Sequence, residues 1–124
     1  MKTFKSLLLA LAASFLLIAC GGGSPESVVK KYFKAAQNAD FKTARKCVTK
    51  EVAVRFDKEI GNLDEDEINR IKERNSKVTL KFIRTDIDGD MATVYFEEVR
   101  DEKSSEKSLP LLKEDGEWKI SKFY

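Results

Sequence analysis

Lys77-Val78-Thr79-Leu80-Lys81-Phe82, then Asp88-Gly89, then Ala92-Thr93-Val94-Tyr95-Phe96 is the stretch that decides the fold. Val78, Leu80 and Phe82 alternate with Thr79 and Lys81, and Ala92, Val94 and Phe96 alternate with Thr93 and Tyr95. A period of two puts one apolar row on one face of each strand. Asp-Gly between two such rows signals a hairpin. Downstream, the polar stretch from Asp101 to Lys107 is expected to turn the chain again. Leu109 and Leu111 begin a third row, Asp115-Gly116 makes a further turn, and Trp118 and Ile120 lie on a last strand. Pro110 has no N–H for a ladder, so its strand is expected at an edge or at a bulge. Ile83, Tyr95 and Leu112 fall on the face opposite the apolar rows.

Upstream the period changes to that of a helix. Ser24-Pro25-Glu26 combines a capping residue, a proline suited to the first helical position and a carboxylate at the positive end of the helix dipole. Val28, Val29, Tyr32, Phe33 and Ala36 then share one face. Asn38-Ala39-Asp40 breaks this helix, and Asp40 can cap a second, carrying Phe41, Ala44 and Val48. Residues 51–63 fit either period and are read as a helix on Val52, Phe56 and Ile60. Asp64 to Glu67 has capping-box spacing ahead of Ile68 and Ile71. Helices first and then a four-strand antiparallel meander define an α+β domain, its helices packed on one sheet face.

Residues 1–19 stand apart from this domain. Lys2 and Lys5 form a basic start, and Leu7 to Ala19 is apolar or small throughout. That run is shorter than the roughly 18–20 residues that span a bilayer, and it has the build of a secretory signal. Leu17-Ile18-Ala19-Cys20 resembles the lipobox of bacterial lipoproteins, which implies a lipidated Cys20 as the first mature residue. The acyl chains would attach the protein to the membrane. Cys20 to Ser24, including Gly21-Gly22-Gly23, reads as a lipidated tether, and residues 25–124 as the folded domain. In enterobacteria-like lipoproteins an Asp at residue 21 favours inner-membrane retention. Gly21 therefore leans to the outer membrane, facing the periplasm, where the organism has one.

The chain has 124 residues, no histidine, and 23 basic against 21 acidic residues. One domain is the most it can hold. Histidine-dependent catalysis and His-ligated zinc are excluded. Without Lys2 and Lys5 the charges balance, so no basic stripe points to nucleic acid. With Cys20 acylated, Cys47 has no disulfide partner and reads as a small buried hydrophobe on a helix. Asp86-Ile87-Asp88-Gly89-Asp90 resembles a calcium loop only superficially. The glycine falls at position 4 where an EF-hand needs it at position 6, so the segment reads as a turn and no metal site is expected. Glu97 and Glu98 are adjacent on a strand and point to opposite faces, so they cannot act as a pair.

The order of pieces carries a wider resemblance. Ser24-Pro25-Glu26-Ser27-Val28-Val29-Lys30-Lys31-Tyr32-Phe33 and Asn38-Ala39-Asp40-Phe41 open the domain; Asp88-Gly89-Asp90-Met91-Ala92-Thr93-Val94 and Leu111-Leu112-Lys113-Glu114-Asp115-Gly116-Glu117-Trp118-Lys119-Ile120 close it. This resembles the DUF4878 group of bacterial lipoproteins in the NTF2-like (cystatin-like) superfamily. The resemblance implies a cone: a curved four-strand sheet around the first helix. It implies no settled activity, since relatives include enzymes and non-catalytic binding or dimerisation modules.

The expectation is a non-enzymatic, lipid-anchored module of the cell envelope without a cofactor. Its partner is a small apolar ligand, held by Tyr32, Phe96 and Trp118, or an envelope protein. The face bearing Ile83, Tyr95 and Leu112 offers a homodimer contact. The competing expectation is an NTF2-like enzyme using a carboxylate and a tyrosine, with Asp40 and Tyr32 the candidates, although Asp40 reads better as a cap.

Overall fold

The computed structural model describes residues 23–123. The expected signal segment 1–19 and the expected lipid-bearing Cys20 lie outside the described residues. Four helices come first: α1 Pro25–Gln37, α2 Phe41–Arg45, α3 Lys50–Gly61 and α4 Glu65–Ser76. Four strands follow: β1 Val78–Asp88, β2 Met91–Arg100, β3 Lys103–Glu114 and β4 Glu117–Ile120. They form one antiparallel sheet in chain order. Among the described residues no helix is long and apolar enough to cross a membrane.

The helix starts follow from side-chain oxygens that accept otherwise unpaired amide protons. Ser24, Asp40 and Thr49 accept from the backbone N–H of Ser27, Thr43 and Val52. Asp64 and Glu67 form a complete reciprocal box. The α1 C-terminus closes as a Schellman turn: the Asp40 N–H donates to Ala35 O at 2.8 Å and the Ala39 N–H to Ala36 O at 3.1 Å, with Ala39 at φ 54°. The ambiguous segment 51–63 is helical through Gly61, with Asn62 as the C-cap.

The core lies between α1 and one face of the sheet, here the inner face. Val28, Val29, Val94, Phe96, Leu111 and Ile120 are almost fully buried there, and Tyr32, Phe33, Leu80, Phe82 and Phe123 pack around them. Among the described residues this cluster runs from Val28 to Phe123. The outer edge of β4 is covered rather than bare. Val48 pairs with Ile120 as a parallel bridge, the Thr49 N–H donates to Ile120 O at 3.0 Å, and the Ile120 N–H donates to Cys47 O at 2.8 Å.

Three expectations need correction. Residues 103–107 are strand, not turn: Arg100 pairs with Lys103 and the reversal takes only Asp101 and Glu102. Cross-strand polar bonds hold these arms, with Lys107 2.7 Å from Glu98 and the Ser104 hydroxyl donating to Glu97 at 2.7 Å. Pro110 is on an interior strand. It stands just past the last β3–β4 pair, where its carbonyl accepts from the Ser121 N–H at 2.9 Å. Its missing N–H faces that same side, so no bond to β2 is lost. Ile83 is the extra residue at a bulge between Phe82 and Arg84 and does not continue a regular outer row.

The two distal hairpins share a backbone but differ in sequence. Asp115 and Gly116 turn at φ 53° and 80°, and Asp101 and Glu102 at 50° and 65°. Two-residue turns with both φ positive favour Asn or Asp followed by Gly. Glu102 therefore carries left-handed strain that Gly116 avoids. Glu102→Gly should stabilise the domain by about 0.5–1 kcal/mol, read as a raised thermal midpoint of residues 21–124. An unchanged or lowered midpoint would show the turn to be unstrained.

Tyr32 supplies a second expectation. Burial, with smaller contributions from Cys47 and Glu59, pushes its phenol up to about 12 from an ordinary 10.0. A group with a raised folded pKa contributes stability that is complete below its unfolded pKa and lost as pH rises through the folded value. Urea midpoints of the wild type should therefore fall more steeply between about pH 10 and 12 than those of Tyr32→Phe. Parallel curves for the two proteins would contradict the burial of the hydroxyl.

Candidate functional site

The apolar rows of β2 and β3 end before their ladder does, whereas on β1 the row runs to buried Val78, opposite Arg100. Along the inner face of β2 the residues are Ala92, Val94, Phe96, Glu98 and Arg100; along β3 they are Leu111, Leu109, Lys107, Ser105 and Lys103. Packing stops near Phe96 and Leu109, while backbone pairing continues to Arg100 and Lys103. The extended hairpin thus overhangs the core, and a cleft opens beneath it.

This cleft has a volume of about 620 Å³. Its apolar wall is Phe33 on α1, Phe96 on β2, Leu109 on β3 and Phe123 after β4. The aromatic rings are set against one another, with Phe33 and Phe96 centroids 5.7 Å apart and their planes inclined at 67°. Glu98, Glu106, Lys107 and Ser108 supply the polar wall, with Tyr95 beside them. The Glu98 side chain is only 18 % exposed, and the ammonium group of Lys107 stands 2.7 Å from its carboxylate. That pairing compensates the carboxylate for lost water.

Two adjoining hollows continue the cleft. One of about 200 Å³ shares Phe33, Glu98 and Phe123 with it and adds Tyr32, Gln37 and Asn75. The other, about 700 Å³, runs between α1, α3 and α4 and again includes Tyr32 and Phe123. Phe123 lines all three and stacks on Tyr32 with centroids 4.8 Å apart. The Gln37 side chain fixes the boundary by donating to Asn75 O at 3.2 Å and Val78 O at 2.9 Å.

Of the three residues expected to share a pocket, the structure brings two into the same system. Phe96 lines the main cleft and Tyr32 its two neighbours. Trp118 does not join them. It is buried opposite Lys113, whose ammonium stands 5.2 Å from the ring centroid, and it lines none of the three cavities. Its row continues from Leu111 and Ile120 away from the cleft, so it serves the core. The candidate carboxylate–tyrosine pair is also separated. Asp40 is exposed as the α2 cap, and its hydrogen bonds with Thr43 hold its carboxyl below the usual range. The carboxylates that line the cleft are Glu98 and Glu106, and Glu51 and Glu59 line the adjoining hollow that holds Tyr32.

Sequence reasoning missed Glu98, Lys107 and Phe123 as cleft residues. Glu98 had a signal: it occupies the next inward position after Ala92, Val94 and Phe96. Lys107 had none, because its facing depends on the two-residue reversal at Asp101 and Glu102. Cys47 is buried as expected, burial pushes its thiol up, and its Sγ lies 3.5 Å from Thr43 O. It stands in the turn after α2 rather than on a helix, and Val48 bridges to β4, because α2 ends at Arg45. On the outer face Met91 and Leu112 oppose each other and are exposed, while the Arg84 guanidinium covers Tyr95 at 3.9 Å.

No family model matches the chain, and no curated protein matches it in sequence. Solved structures do match in shape. A SEC-C motif containing protein from Rhodopseudomonas palustris is 18 % identical with a TM-score of 0.55, over 80 % of this chain and 76 % of that one. A Campylobacter jejuni protein proposed to be an NTF2-like transpeptidase is 14 % identical with a TM-score of 0.52, over 82 % of this chain and 100 % of that one. At such identities the likeness speaks for the fold alone. Helices leading into a four-strand antiparallel sheet, with a cleft beside the first helix, make this an NTF2-like α+β fold.

Proposed function

We propose that this protein is a lipid-anchored module of the bacterial cell envelope, which holds a small, largely apolar ligand in its inner cleft without transforming it. The observation that carries the binding part is the cleft itself. Four apolar side chains from α1, β2, β3 and the segment after β4 converge on about 620 Å³, a volume within the range of small-molecule sites. A few polar groups at one side are the usual means of fixing a ligand's orientation. The anchoring part rests on Lys2, Lys5, the apolar run to Ala19 and the lipobox-like Leu17-Ile18-Ala19-Cys20. The finer resemblance to DUF4878 lipoproteins belongs to this same reading, and it favours a binding or interaction role at the membrane surface.

Two experiments test the parts separately. Cys20→Ser should abolish labelling by a palmitate analogue and move the protein from the membrane to the soluble fraction. A wild type that is itself unlabelled and soluble would refute the anchor. Residues 21–124, purified gently from their own envelope compartment, should carry a small-molecule adduct in native mass spectrometry. Phe123→Asp should lose it, because the variant puts a carboxylate into the apolar wall outside any strand ladder. A bare domain, or an adduct indifferent to Phe123→Asp, would refute the cleft as the binding site.

A further inference from the structure

The hairpin that overhangs the cleft carries an arrangement that stability alone does not account for. Arg100 and Lys103 are directly opposed across β2 and β3, on the same inner face as Phe96, Glu98 and Lys107. Like charges directly opposite each other destabilise a strand pair. Neither residue makes an ion pair among the described residues. Further inward on the same face the chain does the opposite: Glu98, opposite Ser105, pairs diagonally with Lys107, opposite Phe96, at 2.7 Å.

Arg100 and Lys103 line a hollow of about 460 Å³ together with Ser105 and Asp101. Glu98 and Lys107 belong to both this hollow and the apolar cleft, so the two spaces adjoin through the ion pair. With Glu98 neutralised by Lys107, two cations face the single carboxylate of Asp101. The third carboxylate of the joined spaces, Glu106, lines the apolar cleft and not this hollow, so Arg100 and Lys103 keep a local excess of positive charge at the hairpin tip.

Resting on the reading of the cleft as a binding site, we propose that its ligand is an amphiphile with an anionic head. The apolar chain lies on Phe33, Phe96, Leu109 and Phe123. The anionic head, a carboxylate or a phosphate monoester or diester, takes hydrogen bonds from Arg100 and Lys103. A planar guanidinium beside a flexible ammonium suits an oxyanion. Bound there, the head relieves the repulsion between the two opposed cations, so charge recognition and hairpin stability reinforce each other.

The test uses probes of one chain length and different heads: decanoate, decyl phosphate, decanol and decyltrimethylammonium. Each is titrated calorimetrically into residues 21–124 below its aggregation concentration. Decanoate or decyl phosphate should bind roughly tenfold or more tightly than decanol, the least that a charge-assisted hydrogen bond contributes. Decyltrimethylammonium should bind more weakly than decanol. Arg100→Gln with Lys103→Gln should bring the anionic probes down to the level of decanol while leaving decanol unchanged. These side chains lie outside the core, so the double variant should keep the wild-type thermal midpoint or exceed it. The preferred anionic probe identifies the head chemistry. Equal binding of decanoate, decyl phosphate and decanol would overturn the head-group assignment and leave the apolar cleft standing. Failure of all four probes to bind would overturn both.

Discussion

The laying of α1 across the inner face of the sheet is the contact on which the rest depends. A four-strand meander with two-residue reversals has one apolar face and no means of covering it alone. Val28 and Val29, with 2 % and 0 % exposure, supply that cover against Val94, Leu111 and Ile120. Each such side chain contributes about 1.5–3 kcal/mol by leaving water. The same helix touches β1, β2 and β4 as well as α2 and α4, so it also fixes where the smaller helices stand. Tyr32 and Phe33 come one turn later and reach the point where the apolar rows end. The helix that closes the core is thus also the helix that opens the cleft.

Much of this was legible because each element repeats its reason locally. Ser24, Asp40 and Asp64 announce helix starts by residue type and spacing, and all three cap. Asp115-Gly116 announces a turn because glycine adopts its positive φ without strain. Where a local reason was missing, the reading failed. Asp101-Glu102 makes the same turn without a glycine, so its hairpin looked like a loop and Lys107 had no assigned face. Pro110 argued for an edge, but a proline is also tolerated where a ladder has just ended, which only the length of β4 reveals. Trp118 looked like a ligand contact because size and aromaticity do not distinguish the two ends of one sheet face. The candidate site was therefore half legible: its apolar members follow from periodicity, and its charged members follow from a register set by the turn.

The cleft shows that strand pairing and core packing are separate quantities. Backbone hydrogen bonds run along β2 and β3 from Met91↔Leu112 to Arg100↔Lys103 without interruption. Along β2 and β3 apolar burial on the inner face covers only the half from Ala92 to Phe96, while buried Val78 and half-buried Leu80 of β1 stand opposite Arg100 and Glu98. The bulge at Ile83 adds to the divergence, since a bulge bends its strand and changes which residues face inward beyond it. A hairpin held mainly by ladder bonds and exposed polar contacts has lower local stability than the core it extends from. Its arm can therefore adjust to an occupant without disturbing α1.

Charge placement on that arm argues in the same direction. Lys107 and Glu98 show that oppositely charged residues at inner positions of this hairpin meet at 2.7 Å. A glutamate in place of Arg100 would extend the same pattern and support the turn with an attractive pair. Instead two cations face each other beside a turn that already holds Glu102 in the left-handed region. Two independent sources of local strain sit at the same tip, beside a half-apolar cavity. Strain concentrated at a cavity rim, while the core retains regular caps and close packing, is the pattern of a binding edge. An anion placed between Arg100 and Lys103 turns their repulsion into two attractions, and it does so only where the overhanging arm lets it reach the apolar wall.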